Sequence, residues 1–511
     1  MFDRHTSGAP IKYNFINHIN TLDQNGEWCY DYATQTLTIY HATNPSSLTI
    51  MVPNVDSVLS IKDCSYVKVV GGEFWSGNME NVLINGSDHI YLDSIKTNNS
   101  AFAGVAVRAS SYIYFNKNTI IGCQSNGIAL MDTWVGTVSG AVTVQNSYLE
   151  GITSGWYIGD NDGRHYDGLW PGYSLGPTII SYNVIKNFGY NGIEAHYTPS
   201  QIIYRNVIDG FCLHLSDGGG IHTGWNLETT VDRIIRSNLF MNAGTNYSAL
   251  QDVTPLSYGI YLDNDSKYWT VDSNTVVNVQ TGAFNNYGAA YNSWRNNTFV
   301  DFDVPSKVEF LVGGYGTGPY IYWDDAINHF TWENNTIVAT SSTYPAGLSW
   351  SSDGTPLSTG SVFNYNKYYN PFITNGTLFN SLNSGGTSTY YNITNWKAFT
   401  GWELMSTVTD DATGWGWSDV TGISADQFVW VFCNWSSTDH SFDLGNCTFK
   451  NLSGSNISGT VSVSPYKSQV LYYASGTLSG VDNPVYIAAQ QTSWQYPTIK
   501  KKKMNRVIIF K

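Results

Sequence analysis

Three carboxylic acids and two histidines are concentrated in the middle of the chain: Glu194, His196, Asp217, His222 and Asp263. Hydrolysis of a glycosidic bond needs one carboxylic acid to protonate the leaving oxygen. It also needs a second carboxylate, which attacks the sugar or activates water. Any two of Glu194, Asp217 and Asp263 can fill these roles, and the histidines can hydrogen-bond to them. These residue types therefore predict acid–base chemistry on a sugar, provided that the fold brings them together.

Aromatic and further polar residues accompany this group. Flat rings commonly contact the apolar faces of sugars, and Trp170, in a preceding loop, is one such ring. The segment GDNDGRHYDG at 159–168 begins like a calcium loop, but the later ligands and the closing Glu are absent. We therefore expect no metal ion and no cofactor. Seven residues are predicted to contact the substrate: His196, His222, Tyr157, Trp225, Tyr261, Asp160 and Asp162.

A repeated phrase predicts how these residues are positioned. It consists of alternating apolar residues, then Asn, a small polar residue and a further apolar residue, and it recurs every 23 to 38 residues. Its asparagines are Asn118, Asn146, Asn183, Asn206, Asn238, Asn274, Asn297 and Asn335. About nine residues after some of them, a glycine begins a second strand: Gly127, Gly155, Gly192 and Gly282. Such a period is typical of a solenoid.

We therefore predict an all-β fold, a right-handed parallel β-helix with a small C-terminal antiparallel β-sandwich. The asparagines are expected to stack in a buried ladder, which makes the sequons at Asn297 and Asn335 poor glycosylation sites. The predicted organisation has five parts: a β-rich N-terminal segment (1–44), the catalytic β-helix (45–372), a connection (373–395), the sandwich (396–482) and a tail (483–511). We expect the sandwich to cap the end of the solenoid.

Counting residues from each glycine gives the register of the outer face, because alternate residues of a strand face opposite sides. The predicted outward pairs are Glu194 and His196, His222 and Gly224, Tyr261 and Asp263, and Phe284 and Asn286. Two registers are possible for Asp217. Counting from Asn206 places it on the outer face of a strand, whereas alignment on Gly220 places it at the turn that enters the strand.

Charge limits the classes of partner. The formal net charge is −14, and the basic run Lys500 to Lys503 lies at the extreme C-terminus, so we expect no nucleic-acid partner. The same acidity disfavours a polyanionic substrate. The sequence contains no run of about 20 apolar residues, so no membrane span is predicted. We expect a monomer that is secreted, on the cell surface or periplasmic. The first residues lack an apolar signal core, which is consistent with truncation at that end.

Four phrases resemble the β-helical glycoside hydrolases of family 141. They are GEWCYDYATQTLTIY (26–40), SDGGGIHTG (216–224), GIYLDND (259–265) and NWKAFTGWE (395–403). This resemblance covers most of the chain and implies catalysis by an Asp in the DGG phrase and an Asp one coil later, matching Asp217 and Asp263. His222 stands where a Tyr is more usual in that family, so the resemblance does not specify the substrate.

The expected function is hydrolysis of a neutral or weakly charged polysaccharide or oligosaccharide. The first alternative is a polysaccharide lyase, which needs a cation to neutralise a uronate and a Lys, Arg or His base. The predicted outer face has no basic cluster to match. The second alternative is a non-catalytic glycan-binding solenoid, like an adhesin or a tailspike. Which two of the three carboxylates act remains open at this point.

Overall fold

The computed structural model describes most of the solenoid and the C-terminal sheet. The described residues are 18–23, 28–42, 53–130, 140–151, 166–171, 176–196, 200–215, 217–224, 233–244, 257–263, 266–279, 282–286, 289, 291–300, 309–310, 329–339, 349–351, 361–374, 377–382 and 388–487.

Three long parallel sheets form the body of the protein, as the predicted parallel β-helix requires. Within the described residues, the nine-stranded sheet contains Ser57–Lys62, Glu80–Asn85, Val105–Arg108, Ile128–Leu130, Leu169–Trp170, Ile193–His196, Gly218–Gly224, Ser257–Leu262 and Gly282–Asn286. The eleven-stranded sheet contains Lys68–Val70, Asp88–Asp93, Ser111–Asn116, Val142–Gln145, Thr178–Ser181, Gln201–Tyr204, Arg233–Arg236, Trp269–Asp272, Ser293–Arg295, Thr331–Glu333 and Val362–Asn364. The twelve-stranded sheet contains Glu73–Trp75, Lys96–Asn98, Thr119–Cys123, Tyr148–Gly151, Val184–Lys186, Val207–Asp209, Leu239–Ala243, Thr275–Val279, Thr298–Val300, Thr336–Val338, Lys367–Asn370 and Thr407–Asp410.

Apolar residues in register fill the interior of the solenoid. On the nine-stranded sheet the inward row is Val105, Ile128, Leu169, Ile193, Ile221, Ile260 and Phe284, all fully buried. Strands this short bury little apolar area individually, so stacking the coils is what builds the core. The core therefore fixes the register of the outward residues on the same strands.

An asparagine ladder runs along one corner of the solenoid, as predicted. The backbone N–H of Asn183 donates to Asn206 Oδ1 at 3.0 Å, and the Asn206 N–H donates to Asn238 Oδ1 at 2.9 Å. The pattern continues through the later coils, and Asn297 and Asn335 lie within it, fully or almost fully buried. One predicted member is wrong. Ser147 occupies the ladder position, because its hydroxyl accepts the N–H of Asn118 as an amide oxygen would, and Asn146 lies just outside.

Glycines at the start of strands form a second column. A Cβ on Gly192 would lie 2.4 Å from Ile208 Cγ2, and one on Gly220 would lie 2.5 Å from Phe240 Cδ1. Glycine is therefore required where the nine-stranded sheet approaches the twelve-stranded sheet. The strand between those that follow Gly127 and Gly192 begins after Gly168, because Leu169–Trp170 pairs with both neighbouring coils. Gly155, the predicted glycine, lies outside the described residues.

The glycine column ends with an alanine. Tyr258 pairs with Gly282, so Ala283 aligns with Gly259 and Phe284 points into the core. The prediction that Phe284 and Asn286 face outward was wrong by one residue. Asn285 takes the outward position beside Tyr261 instead.

The region predicted as a connection is structured. Two strands, Thr377–Leu382 and Ser388–Asn392, pair antiparallel within a small sheet that also contains Glu309–Phe310 and Ser349–Ser351. The α-helix Ile393–Thr400 follows, with Asn392 as its N-cap and Gly401 as its left-handed C-cap. Among the described residues no helix is long and apolar enough to cross a membrane.

The solenoid continues beyond residue 372. Thr407–Asp410 adds the last strand of the twelve-stranded sheet, in register with Lys367–Asn370. The chain between these strands also ends the asparagine ladder: the Asn366 side chain donates to Glu403, and the Asn366 N–H donates to Ser406 Oγ. Glu403 is fully buried in this position.

A five-stranded sheet completes the C-terminal part. Its strands are Val429–Trp435, His440–Asn451, Asn456–Val463, Lys467–Ser475 and Val485–Ile487, antiparallel except for the last. Its apolar face packs against outward residues of the twelve-stranded sheet: Val207, Leu239, Met241, Val300, Val338 and Tyr369. The twelve-stranded sheet of the solenoid is thus the second layer of the sandwich. The C-terminal sheet therefore covers a side of the solenoid rather than its end. The remaining described elements are an N-terminal hairpin (Trp28–Asp31 with Thr36–Ile39) and three 3-10 turns: Ile19–Thr21, Trp417–Asp419 and Ala425–Gln427.

Candidate active site

A row of polar and aromatic side chains crosses the outer face of the nine-stranded sheet. Glu194 pairs with His222, and His222 pairs with Tyr261 on the next coil. His196 lies two residues after Glu194, and Asp263 lies two residues after Tyr261, so both lie beside this row. The alternation of side chains along each strand therefore brings together Glu194, His196, His222 and Asp263, as the register counted from the glycines predicted.

The side chains of this row contact one another directly. His196 Nδ1 lies 3.1 Å from Glu194 Oε1, and His222 Nε2 lies 3.4 Å from Asp263 Oδ2. The two imidazoles meet edge to face with centroids 4.6 Å apart. The His222 ring stacks on Tyr261 at 4.5 Å and 9° between planes. All five residues are buried or nearly so, with at most 8% of their surface exposed.

Asp217 reaches the same group from the turn that precedes Gly218–Gly224. The structure follows the register aligned on Gly220, so Asp217 lies outside the row, in a left-handed conformation with φ of 66°. Asp tolerates this conformation better than most residues do. The Tyr190 hydroxyl donates to its backbone oxygen at 2.7 Å, and the Tyr261 hydroxyl donates to its Oδ1 at 3.4 Å. The long side chain of Tyr261 thus links Asp217 to the row.

Asp167 is a fourth carboxylic acid of the site, and it is not among the site residues predicted from the sequence. It is fully buried beside Glu194 and precedes Gly168, as Asn126 and Asn191 precede their own glycines. Its Oδ1 accepts the Asn191 N–H at 2.9 Å, and the Asn191 side chain donates to Glu194 Oε2 at 3.2 Å. The repeated Asn/Asp-Gly pair was the signal that could have identified Asp167 as part of a ladder.

Burial and neighbouring charges shift the protonation of these groups. The pKa of Asp167 is raised well above its usual value, first by desolvation and then by the Glu194 carboxylate. The pKa of Asp217 is raised by desolvation of its carboxyl and by Asp263, against the opposing effects of His222 and Tyr261, although the residue as a whole is exposed. The pKa of His196 is lowered, because desolvation outweighs the attraction of Glu194. A neutral His196 therefore donates through Nδ1 to Glu194.

No protein-family model matches the chain, and no curated protein is significantly similar to it. Function is therefore inferred from the geometry of the site. Among the described residues, no group of three or more His, Cys, Asp and Glu side chains could hold a metal ion.

Four predicted substrate contacts lie outside the described residues: Tyr157, Asp160, Asp162 and Trp225. Trp170, which was expected in a loop, lies on the strand Leu169–Trp170, where its register places it beside Glu194. Its ring packs with Leu83, Phe102 and Ala129 on the outer face of the nine-stranded sheet. A buried apolar cluster therefore adjoins the polar row on one side.

Asp167→Asn is expected to stabilise the protein at neutral and alkaline pH. A carboxyl whose pKa is raised on folding costs stability as the pH rises from its unfolded pKa through its folded pKa, because the folded state must then lose a proton that it holds tightly. An Asn can keep the hydrogen bonds to Asn126 and Asn191. The melting temperature of the variant, measured from about pH 4 to about pH 8, should match the native value at the acidic end and exceed it at the alkaline end. A difference that stays the same across this range would show that folding does not raise the pKa of Asp167.

Proposed function

We propose that the protein is a glycoside hydrolase that cleaves a neutral or weakly charged polysaccharide or oligosaccharide on this face of the β-helix. One observation carries the proposal: Asp217 and Asp263 both approach the stacked pair His222–Tyr261 from different chain segments. Two carboxylic acids that flank one polar surface are what hydrolysis of a glycosidic bond needs. The same two residues lie in the phrases that resemble family 141.

Asp217 is the proposed general acid. Its raised pKa favours the protonated form, which can donate to the leaving oxygen, and the residue as a whole is exposed although its carboxyl is partly desolvated. Asp263 is the proposed second carboxylate. Its contact with His222 holds it beside the surface, where it would attack the sugar or activate a water molecule.

Glu194 is proposed to position the site. Its two oxygens are already engaged by His196 and Asn191, and Asp167 lies behind it. These contacts orient His196, whose ring lies against His222 and so supports the contact between His222 and Asp263. The Glu194–His196 pair would therefore act through His222 and not on the substrate directly.

The acidic protein and the aromatic surface favour a mostly neutral glycan. The formal charge of −14 repels polyanions, and the rings of Tyr261 and Trp170, each no more than 6% exposed, lie beside the carboxylates. Such a substrate is consistent with a secreted, cell-surface or periplasmic protein, which remains part of the proposal, as does a monomeric state.

The proposal is tested by incubating the purified protein with a panel of defined plant and microbial glycans. New reducing ends should appear without the ultraviolet absorbance of an unsaturated uronate. An unsaturated product would establish the lyase alternative. Binding to glycans without any turnover across the panel would favour the non-catalytic alternative.

A further inference from the structure

A second concave surface lies between the solenoid and the C-terminal sheet, and we call it the junction cleft. It has a volume of about 420 Å³ and is lined by Gln145, Asn146, Tyr182, Arg205 and Tyr466, among others. This volume is within the usual range of small-ligand sites, which is roughly 300–1,000 Å³. The solenoid residues of the cleft lie at the ends of strands of the eleven-stranded sheet or just after them, so the cleft lies on a different side from the candidate active site.

Arg205 is the cation of the junction cleft, and tyrosines hold its guanidinium group. The guanidinium carbon lies 4.5 Å from the centre of the Tyr466 ring and 5.6 Å from that of Tyr182. One nitrogen donates to the Tyr182 hydroxyl at 2.5 Å. Arginine has five N–H donors, so among the described residues most of this capacity is not used.

Two arginines on later coils of the eleven-stranded sheet are paired with carboxylates. Arg236, which is in register with Tyr204 and not with Arg205, lies 3.0 Å from Asp272, and Arg295 lies 3.3 Å from Glu333. Within the described part of the chain, Arg205 has no such ion pair, and no acidic residue lines the cleft. A fixed cation without a carboxylate, in a protein of net charge −14, is suited to an anionic group from outside.

The remaining lining groups fit sugar hydroxyls. The Asn146 side-chain nitrogen donates to Asn116 Oδ1 at 2.9 Å, and the Gln145 side-chain nitrogen is engaged by Tyr114 and Asn116. These contacts fix both amides with their nitrogens toward the solenoid. The amide oxygens of Gln145 and Asn146 have no donor among the described residues, so they can accept from hydroxyl groups of a ligand.

We propose that the junction cleft binds an acidic sugar residue, with its carboxylate on Arg205 and its hydroxyls on the Gln145 and Asn146 amides. A guanidinium matches a carboxylate in a bidentate arrangement, which a neutral sugar cannot reproduce. The cleft would hold the occasional uronate of a mostly neutral glycan, away from the reacting bond. Binding in the junction cleft does not require catalysis at the candidate active site, whereas its link to the same glycan rests on the proposed function.

The test measures binding to the full chain by calorimetry. The probes are disaccharides that end in glucuronate or galacturonate, with their glucose- and galactose-terminated counterparts. At least one acidic disaccharide should bind, and its neutral counterpart should bind about tenfold more weakly or worse, because it lacks the charge-assisted hydrogen bonds. Absence of binding by both acidic disaccharides, or equal binding of the neutral ones, would overturn the proposal.

Variants separate ligand binding from docking of the C-terminal sheet. Arg205→Gln should weaken binding of the acidic disaccharide by about tenfold or more. Asn146→Asp should do the same by placing a like charge beside the carboxylate, without changing the contacts of Arg205 with the tyrosines. Arg236→Gln is the matched control, because that arginine is already paired with Asp272, and it should bind as the native protein does. Native affinity in both cleft variants would refute the site even if Arg205→Gln lowers the melting temperature.

Discussion

Asp217→Asn and Asp263→Asn are each expected to lower kcat on the identified glycan by about 10²- to 10⁴-fold, the usual contribution of a positioned acid or base. An amide cannot donate the proton that Asp217 supplies, nor can it attack a sugar or activate water in place of Asp263. The rate is measured from the release of reducing ends. Because Asn keeps the shape of Asp, substrate affinity should change far less than the rate.

Two controls show whether the loss of activity is specific. Asp93→Asn changes a carboxylate on the eleven-stranded sheet that bonds only locally, to Ser94 and Asn116 among the described residues, and it should keep the native rate. Glu194→Gln should retain more activity than either Asp variant, since Glu194 acts through His196 and His222. Full activity in both Asp variants would make the proposed carboxylate pair wrong. A Glu194→Gln variant as inactive as they are would assign Glu194 a direct role.

Asn238→Ala is expected to cause the largest loss of stability among single changes in the ladder, about 2–5 kcal/mol. The change removes the oxygen that accepts the Asn206 N–H at 2.9 Å and the nitrogen that donates to Ile203 O at 3.0 Å. Both backbone groups are buried, so water cannot replace these bonds. The shift of the denaturant midpoint, followed by circular dichroism, measures the effect.

Asn278→Gly is the control for this prediction, because glycine adopts the left-handed φ of 54° at this position without a Cβ penalty. Asn278 is exposed on the twelve-stranded sheet and donates only to Asn242 among the described residues, so its replacement should change stability by no more than about 0.5 kcal/mol. Equal effects of the two substitutions would mean that the ladder contributes nothing beyond an ordinary surface amide.

The architecture could be predicted from the sequence because two structural requirements recur in every coil and select particular residue types. One is the asparagine ladder, and the other is the glycine column. Buried backbone at the corner needs an acceptor from each coil, and this need selects Asn206, Asn238 and Asn274. Residue type identifies such a position only within limits: Ser147 and Ala283 satisfy the same constraints as Asn and Gly do elsewhere. The errors at Asn146 and Phe284 have this cause, since each prediction followed the expected residue type rather than the pairing of the strands.

Part of the candidate site could also be predicted, and the physical reason is strand alternation. It placed Glu194, His196, His222 and Asp263 on one face without knowledge of the loops. Strand alternation does not apply to a turn, so it could not place Asp217. The structure places this residue through its contacts with the hydroxyls of Tyr190 and Tyr261. Asp167 was not recognised as a partner of Glu194, because an insertion precedes it and hides its place in the glycine column.

The asparagine ladder has a direction, and its last residues have an electrostatic consequence. From Asn183 to Asn366 each side-chain nitrogen donates to the oxygen of the next coil, so the amide dipoles point the same way and add. Their positive end lies at Asn366, where Glu403 accepts from Asn366 and from the Tyr368 hydroxyl. Burial raises the pKa of Glu403, and these donors counter it. Glu403 thus lies at the positive end of the asparagine ladder, as an anion lies at the N-terminus of a helix. Its carboxyl group interacts with the summed dipole of all the stacked amides.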